Sequence, residues 1–249
     1  MSTLFISDLH LEAEKPELTA FFLNFLAQKG QGLDALYILG DFFEVWVGDD
    51  ERLPLHERVA DTLKALADQG TAVYLMNGNR DFLLGETFAA RCSASLLGET
   101  HRIDLYGQPT LLMHGDALCT RDTEYQKFRA MSRNPQWQAM MLGRPLKDRQ
   151  LLARQLRQMS MAKNQGKAET IMDVTEEEVV AVMERADCSV LIHGHTHRPA
   201  VHEVKLASGT GQRIVLGDWH ESTVYAVADS HGVRLIPVTA ASLQTGQPL

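Results

Sequence analysis

The stretch LIHGHTHRPA, residues 191–200, places three of the chain's ten histidines within five positions. The apolar run before them is typical of a buried β-strand, and neutral imidazole is the commonest metal ligand in proteins. Side chains two residues apart in an extended chain point to the same side. The stretch therefore predicts that His195 and His197 hold a metal at the end of a strand, while His193 packs or supports the ligands.

Apolar runs of this kind alternate with helical patterns along the rest of the chain. Strands are predicted at 3–8, 35–41, 71–76, 109–116, 189–194, 213–218, 223–229 and 233–238. Helices are predicted at 16–30 and 54–70, which begin with proline and end on glycine, and at 175–187, with Thr175 as the N-cap. Alternating strands and helices predict an α/β layered fold, and the strand-rich C-terminal third predicts a mixed sheet.

Residues 120–168 interrupt this alternation. They show no strand pattern and are predicted to form two or three helices, broken at Pro135 and Pro145. Eleven Lys or Arg and three Asp or Glu between 121 and 167 give this segment a charge of +8, inside a chain of net charge −8. We therefore predict a single domain, 1–249, with a helical cap inserted at 120–168. The overall acidity argues against a general nucleic-acid binder, and the two parts are expected to meet different partners.

Composition and the chain start indicate a cytoplasmic protein. The start MSTLFISDLHLE lacks the basic and apolar regions of a signal peptide. No apolar run approaches the roughly 18 residues that a membrane-spanning helix needs. Cys92, Cys119 and Cys188 are odd in number and far apart, which argues against a disulfide framework or a thiolate zinc site. We expect these cysteines to be packing residues in a reducing compartment.

Five predicted strands end in side chains that bind divalent metals. The sequences that follow them are DLH, GD, GNRD, HGD and HGHTH. Ligands in open α/β sheets bind beyond the carboxyl ends of strands. The candidate metal ligands are therefore Asp8, His10, Asp41, Asn79, His114, His195 and His197.

Seven such groups can serve two metals with four ligands each if one carboxylate bridges. Two divalent ions then leave a positive centre, which favours an anionic substrate such as a phosphoester. Two metals about 3.5–4 Å apart activate a water and stabilise the transition state at phosphorus. Mixed nitrogen and oxygen ligands suit Mn, Fe, Co or Zn better than Mg.

Each of these motifs also has an ordinary structural interpretation. A GD after a strand is common turn chemistry, GNRD can form a turn and a helix N-cap, and HGHTH can be a structural histidine cluster. The other histidines, His56, His101, His202, His220 and His231, are expected to be surface or core residues. Asp49 and Asp50 are expected to lie in a solvated loop. What favours the metal hypothesis is that all five motifs occur in one chain.

In their order, these motifs resemble the calcineurin-like metallophosphoesterases. The blocks FISDLHLE, GNRDFLLG, LLMHGDALCT, LIHGHTHRPAVHE and RIVLGDW are more closely similar to one group of that superfamily, the UDP-2,3-diacylglucosamine hydrolases of lipid A biosynthesis. The resemblance extends from residue 1 to about 238. It implies an αββα sandwich of two mixed sheets with an inserted helical cap.

The resemblance also implies site roles. One metal would be held by Asp8, His10, Asp41 and His197, and the other by Asp41 as the bridge, Asn79, His114 and His195. The metals would be two Mn²⁺, with other divalent transition metals possible. Catalytic roles are implied for Asn79, Arg80, His114 and His195. Substrate contacts are implied at Asn79, Arg80, Asp122, Ser160, Asn164, Lys167 and His195. Arg80 replaces the histidine that is common at this position in the superfamily.

The implied reaction is attack of a metal-bound hydroxide on the α-phosphorus of UDP-2,3-diacylglucosamine, giving UMP and 2,3-diacylglucosamine 1-phosphate, lipid X. The cap supplies basic residues for the diphosphate and an apolar set for the acyl chains, the core or a membrane. That set is Trp137, Met140, Met141, Leu142, Leu146, Leu151, Leu152, Leu156 and Met159. We therefore also expect peripheral association with the cytoplasmic face of the inner membrane.

Two alternatives remain open at this point. One is a related metallophosphoesterase that acts on dinucleoside polyphosphates or on nucleic-acid phosphodiesters. The other is a binding module without catalytic activity on the same fold. A cap rich in Leu and Met disfavours the first alternative, and the full set of ligand residues disfavours the second.

Overall fold

The computed structural model of the chain describes residues 2–164, 171 and 173–245. Within this part of the chain there are eleven strands, one 3₁₀ turn at Asp116–Leu118 and eight α-helices. The strands are β1 Thr3–Ile6, β2 Ala35–Leu39, β3 Ala72–Met76, β4 Ala94–Leu97, β5 Thr100–Leu105, β6 Gln108–Met113, β7 Val190–His193, β8 Ala200–Leu206, β9 Gly209–Val215, β10 Ser222–Asp229 and β11 Gly232–Thr239. The helices are α1 Pro16–Lys29, α2 Pro54–Asp68, α3 Glu86–Arg91, α4 Thr123–Ser132, α5 Pro135–Leu142, α6 Leu146–Asn164, α7 Glu176–Arg185 and α8 Ala240–Thr245.

The strands form two mixed sheets. The first has the order β11-β10-β1-β2-β3-β4 and the second has the order β5-β6-β7-β9-β8. The neighbours β1, β2, β3 and β4 are parallel, as are β6, β7 and β9. The remaining pairs are antiparallel. The predicted α/β class with mixed sheets is therefore confirmed.

Three layers of apolar contacts hold the sheets and helices together. Phe5 and Leu39 of the first sheet pack against Ile192 and Ile214 of the second sheet. The opposite face of the first sheet packs against α1, α2 and α3, and the opposite face of the second packs against α7. Both faces of the central strands are thus buried, which explains why β1, β2 and β7 read as continuous apolar runs. The arrangement is an αββα sandwich.

Three strands were not predicted from the sequence, namely β4, β5 and β8. All three are edge strands of their sheets. Their residues are mostly half-buried or exposed, and β5 and β8 carry charged and polar side chains at alternate or successive positions. Edge strands lack a neighbouring strand on one side and often carry charged side chains. They therefore lack the continuous apolar signal on which the prediction relied.

The segment that joins the second sheet's β6 to α7 carries α4, α5 and α6, which we call the cap. Pro135 is the first residue of α5, and Pro145 directly precedes α6. Side chains of the cap reach the loops that follow the first sheet's strands. Arg133 donates to the Gly78 carbonyl at 2.9 Å, and Gln138 donates to the Phe82 carbonyl at 3.2 Å. The cap therefore lies against the carboxyl-end edge of the first sheet.

The expectation that Asp49 lies in a solvated loop is wrong. Gly85 precedes α3 and has no side chain to cap it, and Asp49 supplies the cap from a neighbouring loop. Its Oδ1 accepts from the Gly85 N–H and its Oδ2 from the Phe88 N–H, both at 3.0 Å, while the Trp46 indole also donates to Oδ1. Asp50 is exposed, as expected, but it is paired with Arg149 of α6.

None of the helices in residues 2–164 and 173–245 combines the length and the apolar character that crossing a bilayer would require.

Replacing Asp49 by Ala is expected to lower the free energy of unfolding by roughly 1–3 kcal/mol, because it removes three hydrogen bonds and the cap of α3. Denaturant unfolding followed by circular dichroism measures the change. Lys64→Ala is the control, since it removes an exposed pair with Asp68 and should cost less than about 0.5 kcal/mol. Equal stabilities for the wild type and Asp49→Ala would contradict the capping role.

Candidate metal centre and cavity

Hydrogen bonds beyond β1 and β2 bring the first three candidate ligands together. The Asp8 N–H donates to the Gly40 carbonyl and the His10 N–H to the Asp41 carbonyl, both at 3.0 Å. The ladder between the two parallel strands thus continues past their carboxyl ends. Asn79 follows β3, His114 follows β6, and His195 and His197 follow β7, so all seven candidates lie at strand ends.

Five of the seven candidate ligands have left-handed backbone conformations. The φ angles are 54° at Asp8, 50° at His10, 49° at Asp41, 66° at His195 and 56° at His197. Residues with a side chain rarely adopt this region, and such strain concentrates at functional sites.

One group of candidate ligands consists of Asp8, His10 and His197, whose ligand atoms all lie within 4.8 Å of one another. His197 Nε2 lies 3.4 Å from Asp8 Oδ1, and the His10 and His197 rings have centroids 5.4 Å apart. Asp8 Oδ1 and His10 Nε2 are buried and have no hydrogen-bond partner among the described residues. A cation between these atoms would satisfy both.

A second group consists of Asp8, Asp41 and His114, again within 4.8 Å. His114 Nδ1 lies 2.9 Å from the Leu39 carbonyl, which can only accept, so this nitrogen carries the proton. In the neutral ring, Nε2 then has only a lone pair, yet it faces Asp41 Oδ1 at 3.6 Å. The Asn79 side chain lies 2.9 Å from the same nitrogen and 2.8 Å from His195 Nδ1.

Asp41 lies between the two groups. Its Oδ2 is 3.9 Å from His10 Nε2, and its Oδ1 is 3.6 Å from His114 Nε2. The bridging role that the resemblance implies for Asp41 agrees with these directions, although the carboxylate of Asp8 also belongs to both groups. Carboxylate, amide and imidazole donors without thiolate fit divalent transition metals. The side chains of the seven residues therefore lie around one site, and their roles as metal ligands remain a prediction.

The charges of the imidazoles differ across the site. Burial, together with the neighbouring His114, lowers the pKa of His195 to about 4. Burial alone would lower the pKa of His197, but Asp218 and Asp8 raise it to about 10. Burial likewise opposes ionisation of Asp8, yet the nearby His197, His114 and His10 hold its pKa well below the usual range. His195 is thus neutral and ready to bind a metal, whereas a metal at His197 takes the place of a proton.

Small residues leave room for these ligands. A methyl group added at Gly194 would overlap Asp8 Oδ2 and Ser7 Oγ, and one added at Gly78 would overlap the Asp41 backbone nitrogen and Oδ1. Below this layer, His193 is fully buried, with Nδ1 2.8 Å from the Gly194 carbonyl and Nε2 3.2 Å from an Arg213 nitrogen. His193 thus packs beneath the ligands and does not reach the cluster through either nitrogen.

Two carboxylates beside the cluster were not identified from the sequence. Glu44 Oε2 lies 2.8 Å from His10 Nδ1, and Asp218 Oδ2 lies 3.1 Å from His197 Nδ1. Asp218 follows β9 in the block LGDW, so the rule that polar residues follow parallel strands could have indicated it. Glu44 lies three residues beyond Asp41, and no local pattern marks it.

A cavity of about 540 Å³ extends from the candidate ligands to the space under the cap. Four predicted substrate contacts line it, namely Asn79, Arg80, Asp122 and His195. The side chains of Ser160 and Asn164 on α6, and all of Lys167, lie outside the described residues. Asp122 is also the N-cap of α4, where its side chain accepts from the Tyr125 N–H.

The apolar residues of the cap line the cavity or are exposed at the surface, and Met159 does both. Trp137, Met141, Leu152, Leu156 and Met159 line the cavity, together with Phe82 and Phe128. Met140, Leu142, Leu151 and Met159 are exposed, between 43% and 57% of their possible surface. Packing on the core thus accounts for few of them, and Met141 is the member of the predicted set that is fully buried.

Gly78→Ala is expected to weaken Mn²⁺ binding at least about tenfold, because the added methyl displaces Asp41. Titration of the metal-free chain with Mn²⁺, followed by electron paramagnetic resonance, measures this. Gly98→Ala is the matched control, since its nearest neighbour would be the Thr100 carbonyl at 3.8 Å. Unchanged Mn²⁺ affinity in a folded Gly78→Ala chain would show that Asp41 is no ligand.

The chain matches the sequence model of the calcineurin-like phosphoesterases over residues 1–199. A UDP-2,3-diacylglucosamine hydrolase of Marinobacter nauticus is 62% identical over 231 residues, which are 93% of this chain and 95% of the relative. The enzyme of the same name from Hahella chejuensis is 59% identical over 243 residues, 98% and 100% of the two chains. That from Cellvibrio japonicus is 54% identical over 235 residues, 94% and 98%. The chain is therefore a hydrolase that belongs to the calcineurin-like phosphoesterase family, together with the relatives named UDP-2,3-diacylglucosamine hydrolase.

Proposed function

We propose that the chain hydrolyses the diphosphate of UDP-2,3-diacylglucosamine at the α-phosphorus, giving UMP and 2,3-diacylglucosamine 1-phosphate. The observation that carries this proposal is the single cavity that joins the cluster of candidate metal ligands to an apolar chamber under the cap. A diphosphate attached to a sugar with two acyl chains has the same division into an anionic and an apolar part. The relatives' names point to the same substrate.

Divalent cations are implied by the family and fit the donor set. We propose two, with Mn²⁺ as the natural choice, held by Asp8, His10, Asp41 and His197 and by Asp41, Asn79, His114 and His195. When bound, such ions activate a water and neutralise charge on the phosphates.

The chain's own residues bind and orient the diphosphate. Arg80 lines the cavity, and its Nε is buried without a hydrogen-bond partner among the described residues. A guanidinium in this position can donate to phosphate oxygens in a fixed geometry. The Arg80 N–H donates to Asp41 Oδ1 at 2.8 Å, which fixes the backbone at the candidate metal centre. Arg80 therefore stabilises charge that develops on the phosphate.

The apolar walls of the cavity favour acyl chains over a second nucleotide. These walls include Trp46, Val47, Phe82, Leu83 and Phe128, in addition to the apolar residues of the cap. Burying methylene groups against such walls contributes roughly 0.8 kcal/mol each. A dinucleoside polyphosphate or a nucleic acid would place polar groups there instead.

Turnover of UDP-2,3-diacylglucosamine with Mn²⁺ is expected to exceed turnover of dinucleoside polyphosphates and phosphodiesters in the same assay. Asp41→Ala and His114→Ala should each lower it by more than about a hundredfold, because each removes a metal ligand. Circular dichroism establishes that the variants are folded. Preferred hydrolysis of a dinucleoside polyphosphate would replace the proposed substrate, and a wild-type chain that binds no Mn²⁺ would support a module without catalysis.

We also propose that the cap attaches the chain to the cytoplasmic face of the inner membrane. Met140, Leu142, Leu151 and Met159 are exposed on α5 and α6. Arg144, Lys147 and Arg154, also exposed, lie between them in sequence. Apolar side chains flanked by basic residues bind reversibly to anionic lipid surfaces.

Wild-type chain is expected to float with vesicles of phosphatidylglycerol and phosphatidylethanolamine, and to float less at high salt. The double variant Met140→Ser/Leu151→Ser should lower vesicle partitioning at least about tenfold, since it removes two apolar contacts. Val201→Ser is the control, because Val201 is 50% exposed on β8, outside the cap. Equal flotation of the double variant and the control would contradict attachment through the cap.

A further inference from the structure

Glu44 lies between a candidate metal ligand and the cap. Its side chain is 7% exposed, and its Oε2 is 2.8 Å from His10 Nδ1. Its other oxygen, Oε1, forms an ion pair with Arg157 of α6. A buried carboxylate is costly unless it is paired. The pairing with Arg157 therefore contributes to keeping this charge next to His10.

The backbone holds Glu44 in register with His10. The Leu11 N–H donates to the Phe42 carbonyl at 3.0 Å, and the Glu44 N–H donates back to the Leu11 carbonyl at 3.1 Å. These bonds extend the pairing of the loops that follow β1 and β2. The Glu44 side chain is thus placed by the same ladder that places the candidate ligands.

Three of the four histidines in the cluster, His10, His114 and His197, share one arrangement, whereas His195 Nδ1 faces Asn79 Oδ1 at 2.8 Å. Each Nδ1 faces an oxygen outside the cluster: Glu44 for His10, Asp218 for His197, and the Leu39 carbonyl for His114. Each Nε2 then faces the carboxylates of Asp8 or Asp41. Oxygen atoms at the outer nitrogen orient a metal-binding histidine, and at His10 the contact with Glu44 is a close charge contact whose geometry is not that of a hydrogen bond.

Among these three oxygen-bearing groups, Glu44 is paired with a residue of the cap. Neighbouring contacts of α6 also join the cap to this loop, since Arg149 pairs with Asp50 and Gln150 bonds to Glu51 at 2.7 Å. Those contacts do not involve a candidate ligand. The cap is therefore attached to an acidic loop, and one of its contacts continues to the metal centre.

We propose that Glu44 is a positioning residue that orients His10 for the metal, and that Arg157 couples this orientation to the position of the cap. The inference rests on the proposed metal site. In addition to forming the cavity, the cap would then affect how tightly the metal at Asp8, His10, Asp41 and His197 is held.

The test is Mn²⁺ affinity of the metal-free full chain, measured by calorimetry and by electron paramagnetic resonance. Glu44→Gln keeps the shape of the side chain and removes its charge. We expect the Mn²⁺ site that includes His10 to lose about 10–100-fold in affinity. Arg157→Gln should give a smaller loss, because Glu44 remains but loses its cation.

A double-mutant cycle tests the coupling. If Arg157 acts through Glu44, Arg157→Gln lowers Mn²⁺ affinity in the wild-type background and has no further effect in Glu44→Gln. Asp50→Asn is the matched control, since it breaks a contact between cap and loop that does not reach a ligand, and it should leave Mn²⁺ affinity unchanged. Additive losses, or an equal loss in Asp50→Asn, would overturn the coupling.

Wild-type Mn²⁺ affinity in a folded Glu44→Gln chain would overturn the positioning role. If Glu44→Gln does not fold, Glu44→Asp keeps the charge, shortens the arm by one methylene, and should also weaken Mn²⁺ binding. Absence of Mn²⁺ binding by the wild type would instead count against the proposed metal site. The two failures are therefore distinguishable.

Discussion

Two buried carboxylates, Asp8 and Asp41, lie close together, and the site depends on how their negative charge is compensated. Both belong to one group of candidate ligand atoms within 4.8 Å, together with His114. Like charges in a low-dielectric interior repel unless cations or hydrogen bonds compensate them. Imidazoles surround the two carboxylates. Buried atoms without a hydrogen-bond partner among the described residues, such as Asp8 Oδ1 and His10 Nε2, fit ligands of divalent ions. Left-handed backbone turns at both carboxylates add strain that the surrounding ladder must hold.

The cap complements this centre in charge and in polarity. Its basic helices lie against a loop, residues 44–51, that carries four acidic residues. Ion pairs of Arg149 and Arg157 attach α6 to that loop, while Phe82, Trp137 and Leu156 line the cavity between cap and sheets. One inserted segment therefore provides the attachment, the apolar wall and the exposed Met and Leu residues. The cavity is lined both by candidate metal ligands and by apolar side chains.

Sequence patterns predicted the interior of the fold better than its borders. Strands such as β1 and β2 are covered on both faces, so every residue is buried, nearly all are apolar, and the run is easy to recognise. The edge strands β4, β5 and β8 were missed because their residues are mostly half-buried or exposed, and many of those in β5 and β8 are polar. Asp49 was misjudged for a related reason: its capping of α3 is a contact between segments 36 or more residues apart.

The sequence by itself determined the α/β class, the strand ends, and the seven residues there that can bind metals, because these features depend on hydrophobic runs and on the residues directly after them. Only the tertiary structure decided which nitrogen and oxygen atoms face one another, and that Asp41 lies between two groups. It also decided that Glu44 and Asp218 stand behind His10 and His197, and that the cap's apolar residues divide between cavity and surface. Such contacts join distant segments through the packing of two sheets, and local periodicity carries no information about them.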